Sequence, residues 1–233
     1  MKHYVVTGAG SGIGQAVAEQ LHARGDTLYL PSHTTDSAQR VARQFPGAHT
    51  FVADLAAPTS LANALAKLDL PDELHGLVHV AGVLHMGAIA DLSVDAWQAS
   101  LTVNLAAPAE LTRLLLPRLR HPAGHVVFVN STSGLVTRAK WAAYSASKWG
   151  LRALAEALRA EEQHTGMRVT SVFPGRTATP MQESVHEYEG RAYEAKQWIA
   201  PSTVAAAALT ALDLPADAEI SDITVRGGPA GSA

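Results

Sequence analysis

Short apolar or β-branched runs alternate with longer stretches of helical period from the first residues almost to the last, and this rhythm constrains the fold more than any single motif does. Strands are predicted at 3–7, 27–31, 49–53, 76–80, 124–130, 167–173 and 222–225, with helices between them at 12–24, 35–44, 58–67, 94–120, 142–164 and 201–212. Several strands are continuously apolar, as in Val126-Val127-Phe128-Val129, which suits a parallel sheet covered on both faces. The expectation is an α/β, doubly wound parallel sheet of about seven strands with helices on both faces. Turn chemistry supports the boundaries: Arg24-Gly25-Asp26 closes the first helix, Pro46-Gly47 the second, and Pro58 fits the first turn of the third. Leu151, Leu154, Ala155 and Leu158 recur at helical spacing, an apolar stripe read as core rather than as a partner interface.

At 233 residues the length favours one domain over 1–233, and 47% hydrophobic against 17% charged residues supplies a core and excludes a disordered chain. A net charge of -3 argues against a nucleic-acid partner. Without cysteine, no disulfide framework, thiolate nucleophile or thiolate metal site exists. The eleven histidines form no metal motif; His121 and His125 are four apart, but Pro122 and Gly124 break the helix that would align them. No leader pattern precedes the first strand and no run approaches the length of a membrane span. A cytoplasmic protein with no membrane partner is therefore expected, ending in a frayed tail at 227–233.

The first strand runs straight into Thr7-Gly8-Ala9-Gly10-Ser11-Gly12-Ile13-Gly14 and then a helix. Glycines there permit positive φ and close backbone approach, and the amides of the helix N-terminus suit a pyrophosphate. The spacing is Gly-x-x-x-Gly-x-Gly at Gly8, Gly12 and Gly14; Gly-x-Gly-x-x-Gly is satisfied from neither Gly8 nor Gly10. Asp54, with Leu55 after it, follows the third strand, where an open parallel sheet presents its carboxyl ends to ligands. Two readings of Asp54 stand: a hydrogen bond to an adenine amino group, or a cap for the helix at Pro58.

Tyr144 and Lys148 are four apart at the start of a strongly helical stretch, so both side chains share one face. A phenol titrates near 10, and a neighbouring ammonium, joined by an oxidised nicotinamide, favours its phenolate, making Tyr144 a tunable acid–base group. Ser131 ends the buried strand before them, where its hydroxyl can hold a carbonyl oxygen. Ser133 is a rival, since Ser131-Thr132-Ser133 offers three hydroxyls.

The glycine turn, Asp54, Ser131, Tyr144 and Lys148, in that order, resemble the short-chain dehydrogenase/reductase family in its single-domain branch, from Thr7 to the Pro174-Gly175 turn. The resemblance implies a Rossmann fold binding NAD or NADP, tyrosine as general acid or base, lysine on the nicotinamide ribose, and serine orienting the substrate carbonyl or alcohol. These roles fall on Tyr144, Lys148 and Ser131, with Gly134 fixing the register that favours Ser131 over Ser133. Asn104 matches the helix asparagine that supports a water-linked proton relay to lysine. The implied cofactor contacts are Gly8, Ser11, Gly12, Ile13 and Gly14, then Asp54 and Leu55, Ala81 and Gly82, Tyr144 and Lys148, and finally Pro174, Gly175, Thr177 through its backbone and Thr179 through its hydroxyl. Where the family has Asn-Asn-Ala-Gly, this chain has His79-Val80-Ala81-Gly82, and His79 is read as structural.

At the end of the second strand, where an acid would bind the 2′-hydroxyl of NAD, stands Ser32, with His33 and Arg40 able to face a phosphate. NADP(H) is favoured and NAD(H) remains possible. Residues 182–198, with Tyr188, Tyr193 and Trp198, resemble the family's substrate lid near 180–200; the other reading is a surface helix docked by its aromatics. His85, Met86 and Trp141 are further pocket candidates. The expected reaction is hydride transfer between NADP(H) and a carbonyl or secondary alcohol, in a homodimer or homotetramer by analogy. The alternatives are an NAD-dependent alcohol dehydrogenase and a nucleotide-sensing protein of the same fold; a sensor often lacks the tyrosine or lysine that this chain keeps.

Overall fold

The computed structural model describes residues 1–228, so positions 229–233 of the predicted tail lie outside the described residues. Seven strands form one sheet: β1 (His3–Val6), β2 (Thr27–Ser32), β3 (His49–Val52), β4 (Gly76–His79), β5 (His125–Val129), β6 (Arg168–Pro174) and β7 (Asp222–Val225). Their order is β3-β2-β1-β4-β5-β6-β7, and every neighbouring pair is parallel. The chain turns back between β1 and β4, so loops leaving those two strands splay apart at their carboxyl ends and open a crevice there.

The connecting helices are α1 (Gly12–Ala23), α2 (Thr35–Gln44), α3 (Leu61–Leu65, after a 3-10 turn Pro58–Ser60), α4 (Val94–Leu101), α5 (Ala107–Arg120), α6 (Ala142–Glu162), α7 (Pro180–Glu189) and α8 (Pro201–Leu212). Successive strand side chains point to opposite faces, and the two cores divide accordingly. Tyr4 and Val6 pack with Leu21 of α1, Val41 of α2 and Leu209 of α8. Val5, between them, packs on the other face with Leu115 of α5 and Leu151 and Leu158 of α6. Leu151, Ala155 and Leu158 are buried with Leu154 against them, so the predicted stripe is core. Each such Leu or Val contributes about 1.5–3 kcal/mol relative to an exposed position.

Two elements differ from the sequence expectation. The stretch predicted as one helix over 94–120 is broken by a π-turn at Thr102–Ala106. Its cause is local: Pro108 has no N–H and cannot bond the Asn104 carbonyl one turn back, while Ala107 N–H reaches to the Thr102 carbonyl instead. Helix α7, expected only as one of two readings of 182–198, is capped by Thr179, carries Pro180 in its first turn and ends at Gly190 in left-handed conformation. Among the described residues no helix is long and apolar enough to cross a membrane.

Candidate active site

The glycine turn is built by contacts that admit no side chain. Gly8 has φ +75°, and a Cβ there would meet the Ala81 amide nitrogen at 2.9 Å; one on Gly14 would sit 2.1 Å from the Gly8 carbonyl oxygen. Thr7, which sequence reasoning passed over, holds the second wall in place: its buried hydroxyl accepts from Val80 N at 2.9 Å and Ala81 N at 3.1 Å. Ser11 caps α1 without a side-chain bond to the helix, and no acidic residue lies in the first turn. The amides of that turn, with Ile13 among the walls of the adjoining cavity, are left to an anion, so the residues fit a dinucleotide pyrophosphate. A Cβ on Gly12 would touch the Thr179 side chain at 3.0 Å, which joins the turn to the 174–180 segment.

Facing this turn, Tyr144 and Lys148 rise from the first turns of α6, both buried. Lys148 Nζ donates to the Val129 carbonyl at 3.1 Å and lies 5.8 Å from the Tyr144 ring centre. Ser131 ends the segment after β5, its Oγ accepting from Ser133 N at 3.1 Å. The buried Asn130 binds these two pieces together, donating through Nδ2 to the Lys148 carbonyl and accepting from Ser131 N. A Cβ on Gly134 would fall 2.6 Å from Asn130 Oδ1, so glycine is required for the serine loop to seat on α6.

Asn104, expected in a water-linked relay to the lysine, makes its side-chain bonds to other groups of the same centre. Its amide clamps the loop after β4, accepting from Val83 N at 2.8 Å and donating to the Val83 carbonyl at 2.9 Å, and also donates to Ser147 Oγ at 3.0 Å. Ser147 in turn donates to the Tyr144 carbonyl at 2.7 Å. The Asn104 side chain is therefore a spacer, while its backbone carbonyl lacks the helical donor that Pro108 cannot supply. Gly82 leaves the room between them: a Cβ there would meet Asn104 Oδ1 at 3.1 Å and Lys148 Nζ at 3.9 Å.

Burial governs the titration of both groups. It pushes the Tyr144 phenol up to about 12, with Ser131 beside it pulling the other way. It draws the Lys148 amine down to about 8. Desolvation disfavours the charged form of each group, so in the protein by itself Tyr144 is a protonated donor at neutral pH.

A cavity of about 760 Å³ joins the glycine turn, Ala81 and Gly82 to Ser131, Tyr144, Lys148 and the Pro174, Gly175, Thr177 and Thr179 segment. Ser32, His33, Asp54 and Leu55 lie outside its walls. Asp54 is exposed and accepts from Ala56 N at 2.9 Å, folding its own loop rather than capping the turn at Pro58. The Thr179 hydroxyl, expected on a carboxamide, accepts from Gln182 N at 3.3 Å as the cap of α7. The lid aromatics expected over the substrate are not in the walls: Tyr188 is exposed, and Tyr193 and Trp198 pack edge-on to the buried His186. Met181 and Val185 of α7 line the cavity instead. One face of α7 points inward; Tyr188 sits on another face, and Tyr193 and Trp198 lie beyond the helix. Of the further candidates, Trp141 lines the cavity edge-on to Tyr144 at 5.8 Å, whereas His85 bonds Ser100 and, with Met86, stays out. His79 is structural: buried, stacked on Phe128 at 5.0 Å and bonded to Thr112 at 2.9 Å. Among the described residues no cluster of three or more His, Asp or Glu is arranged to hold a metal.

A switch-point crevice with a glycine turn on one side and a Tyr, Lys and Ser constellation on the other defines a nucleotide-dependent oxidoreductase of Rossmann type. The model of the short chain dehydrogenase family matches residues 2–190. Uncharacterized oxidoreductases from Staphylococcus saprophyticus and Staphylococcus aureus are 30% and 31% identical, with 95% of both chains covered in each case. Among solved structures, a variant of actinorhodin polyketide ketoreductase with NADPH is 25% identical, with 97% of this chain and 96% of that chain covered and a TM-score of 0.88. A short-chain dehydrogenase from Streptomyces avermitilis is 28% identical, with 97% and 88% covered and a TM-score of 0.84. The chain belongs to the short-chain dehydrogenase family, and it is an NAD(P)-dependent oxidoreductase.

Proposed function

We propose that the protein interconverts a carbonyl compound and its secondary alcohol, with NADP(H) as the favoured cofactor. The observation that carries this is the meeting of Ser131, Tyr144 and Lys148 with the glycine turn in one cavity. A bound nicotinamide dinucleotide would supply or accept the hydride. Tyr144, kept protonated by burial, gives its proton to the carbonyl oxygen in reduction and takes it back in oxidation. The Ser131 hydroxyl donates a hydrogen bond to the same oxygen, stabilising the charge that develops there. Lys148, with an amine drawn down to about 8, holds a proton near neutral pH that can replace the one Tyr144 gives up. The Asn104 carbonyl, which Pro108 cannot engage, is the acceptor offered to a water on that path. Ser32 in place of an acid removes the repulsion a 2′-phosphate would meet, and NADPH in the related ketoreductase structure supports the same preference.

The test is NADPH oxidation against a panel of aldehydes and ketones. Tyr144→Phe is expected to lower kcat by roughly 10²–10⁴-fold while leaving the cofactor dissociation constant within about twofold. Normal turnover in that variant would defeat the mechanism. Comparing NADPH and NADH dissociation constants decides the cofactor: wild type is expected to favour NADPH, and Ser32→Asp to cost it roughly tenfold in NADPH affinity.

A further inference from the structure

Among the described residues not one Asp or Glu lines the cavity, although the chain as a whole carries a net charge of -3; Arg138, Lys148, Arg176 and Arg226 all do. Two of these have side-chain partners. Lys148 is buried beside Tyr144. Arg176 is forked onto Glu189 and lies over the Trp198 ring at 5.4 Å. Arg226 follows β7 and its backbone abuts Gly175, on the segment expected against the cofactor carboxamide. Neither Arg226 nor Arg138 has a carboxylate within 4.0 Å among the described residues, and with Arg226 beside the segment expected against the cofactor, Arg138 is the one left to face a substrate.

Its position is fixed although its side chain is exposed. Trp141 N bonds the Arg138 carbonyl at 3.2 Å, making a turn, and Gly87 N bonds the Lys140 carbonyl at 3.0 Å, tying that turn to the loop after β4. Trp141 then packs edge-on to Tyr144. The guanidinium is thus carried on a backbone locked to the acid–base residue, two residues beyond the apolar Leu135 and Val136 that also line the cavity. The nearby Lys140, its ammonium 5.7 Å from the Tyr188 ring centre, adds a second positive charge.

We infer that the substrate is an anionic carbonyl compound whose carboxylate or phosphate group is gripped by Arg138 while its carbonyl lies at Ser131 and Tyr144. The inference rests on the oxidoreductase reading above and narrows its substrate class. A guanidinium matches either oxyanion with paired N–H donors, and the uncompensated charge raises the local concentration of such substrates.

The experiment uses the full chain with NADPH. A homologous series of straight-chain oxo acids, their methyl esters, the corresponding oxoalkyl phosphates and neutral ketones is assayed with wild type, Arg138→Gln and Arg138→Lys. The same compounds are titrated calorimetrically into NADP-loaded Tyr144→Phe with Arg138 intact or changed to Gln. Arg138→Gln is expected to raise KM, and the calorimetric dissociation constant, for at least one anionic series by about 10- to 100-fold. Ester and ketone turnover and the KM for NADPH should stay within about twofold, with Arg138→Lys in between. The series that responds, acid or phosphate, identifies the oxyanion. Equal losses on anionic and neutral compounds, a loss confined to NADPH, or no discrimination in any series would overturn the inference. Absence of turnover with every carbonyl in wild type would instead sink the carbonyl–alcohol reading, and the binding titration would still decide the role of Arg138.

Discussion

His79 and His125 are imidazoles sealed in the sheet, and burial pushes both down to about 3. An unfolded chain binds a proton at each near pH 6.5, whereas the folded one does not until about 3. Stability from these sites is therefore whole above 6.5 and falls as pH drops from there toward 3, by about 1 kcal/mol per pH unit for each histidine. Urea unfolding between pH 7 and 5, above the range where carboxylates titrate, should show this slope, and His79→Gln should roughly halve it; an unchanged slope would contradict the neutral burial of His79. In the same class of local constraint, Gly14→Ala must displace the Gly8 carbonyl, with an expected cost of about 1–3 kcal/mol in denaturant midpoint together with weakened cofactor binding. For catalysis, Lys148 at about 8 predicts that carbonyl reduction declines as pH rises through that value, because the amine then has no proton to pass on; a kcat/KM profile flat to pH 10 would exclude it as the proton source.

At the scale of elements, the π-turn between α4 and α5 is the joint that matters, since it carries Asn104. Pro108→Ala restores an N–H where the Asn104 carbonyl lacks one, so turnover is expected to fall while the melting temperature holds or rises. A variant with full activity would separate the π-turn from the reaction. Asn104→Ala is a different perturbation: it strands the Val83 N–H and takes a donor from the Val83 carbonyl, and loses both activity and about 1–3 kcal/mol of stability. Sequence could locate Asn104 by resemblance, and Pro108 is visible four residues on, but that its amide would clamp Val83, twenty-one residues away, follows from how α4 lies beside the loop after β4. Helix α7 was legible in its Thr179, Pro180 and Gly190 signals; the aromatics drew the reading toward a lid over the substrate, although the inward positions belong to Met181 and Val185.

For the whole molecule, the dimer or tetramer implied by family resemblance would cover the half-exposed Leu101 of α4 and Trp149 of α6, two helices that pack together. Analytical ultracentrifugation is expected to give an oligomer for wild type and a smaller species for Trp149→Glu; a monomeric wild type would remove that expectation. The parallel, doubly covered sheet follows from features written in the chain: apolar runs that need cover on both faces, helical stretches between them, and glycines where only a side-chain-free backbone can turn against its neighbour. Those are short-range rules, and a sequence states them directly. The protonation of Tyr144 and Lys148, the partners of Asn104 and Asn130, and the isolation of Arg138 in a cavity without carboxylates were decided only in three dimensions. Each depends on desolvation and charge contributed by residues distant in the chain, which the sheet order brings to one crevice.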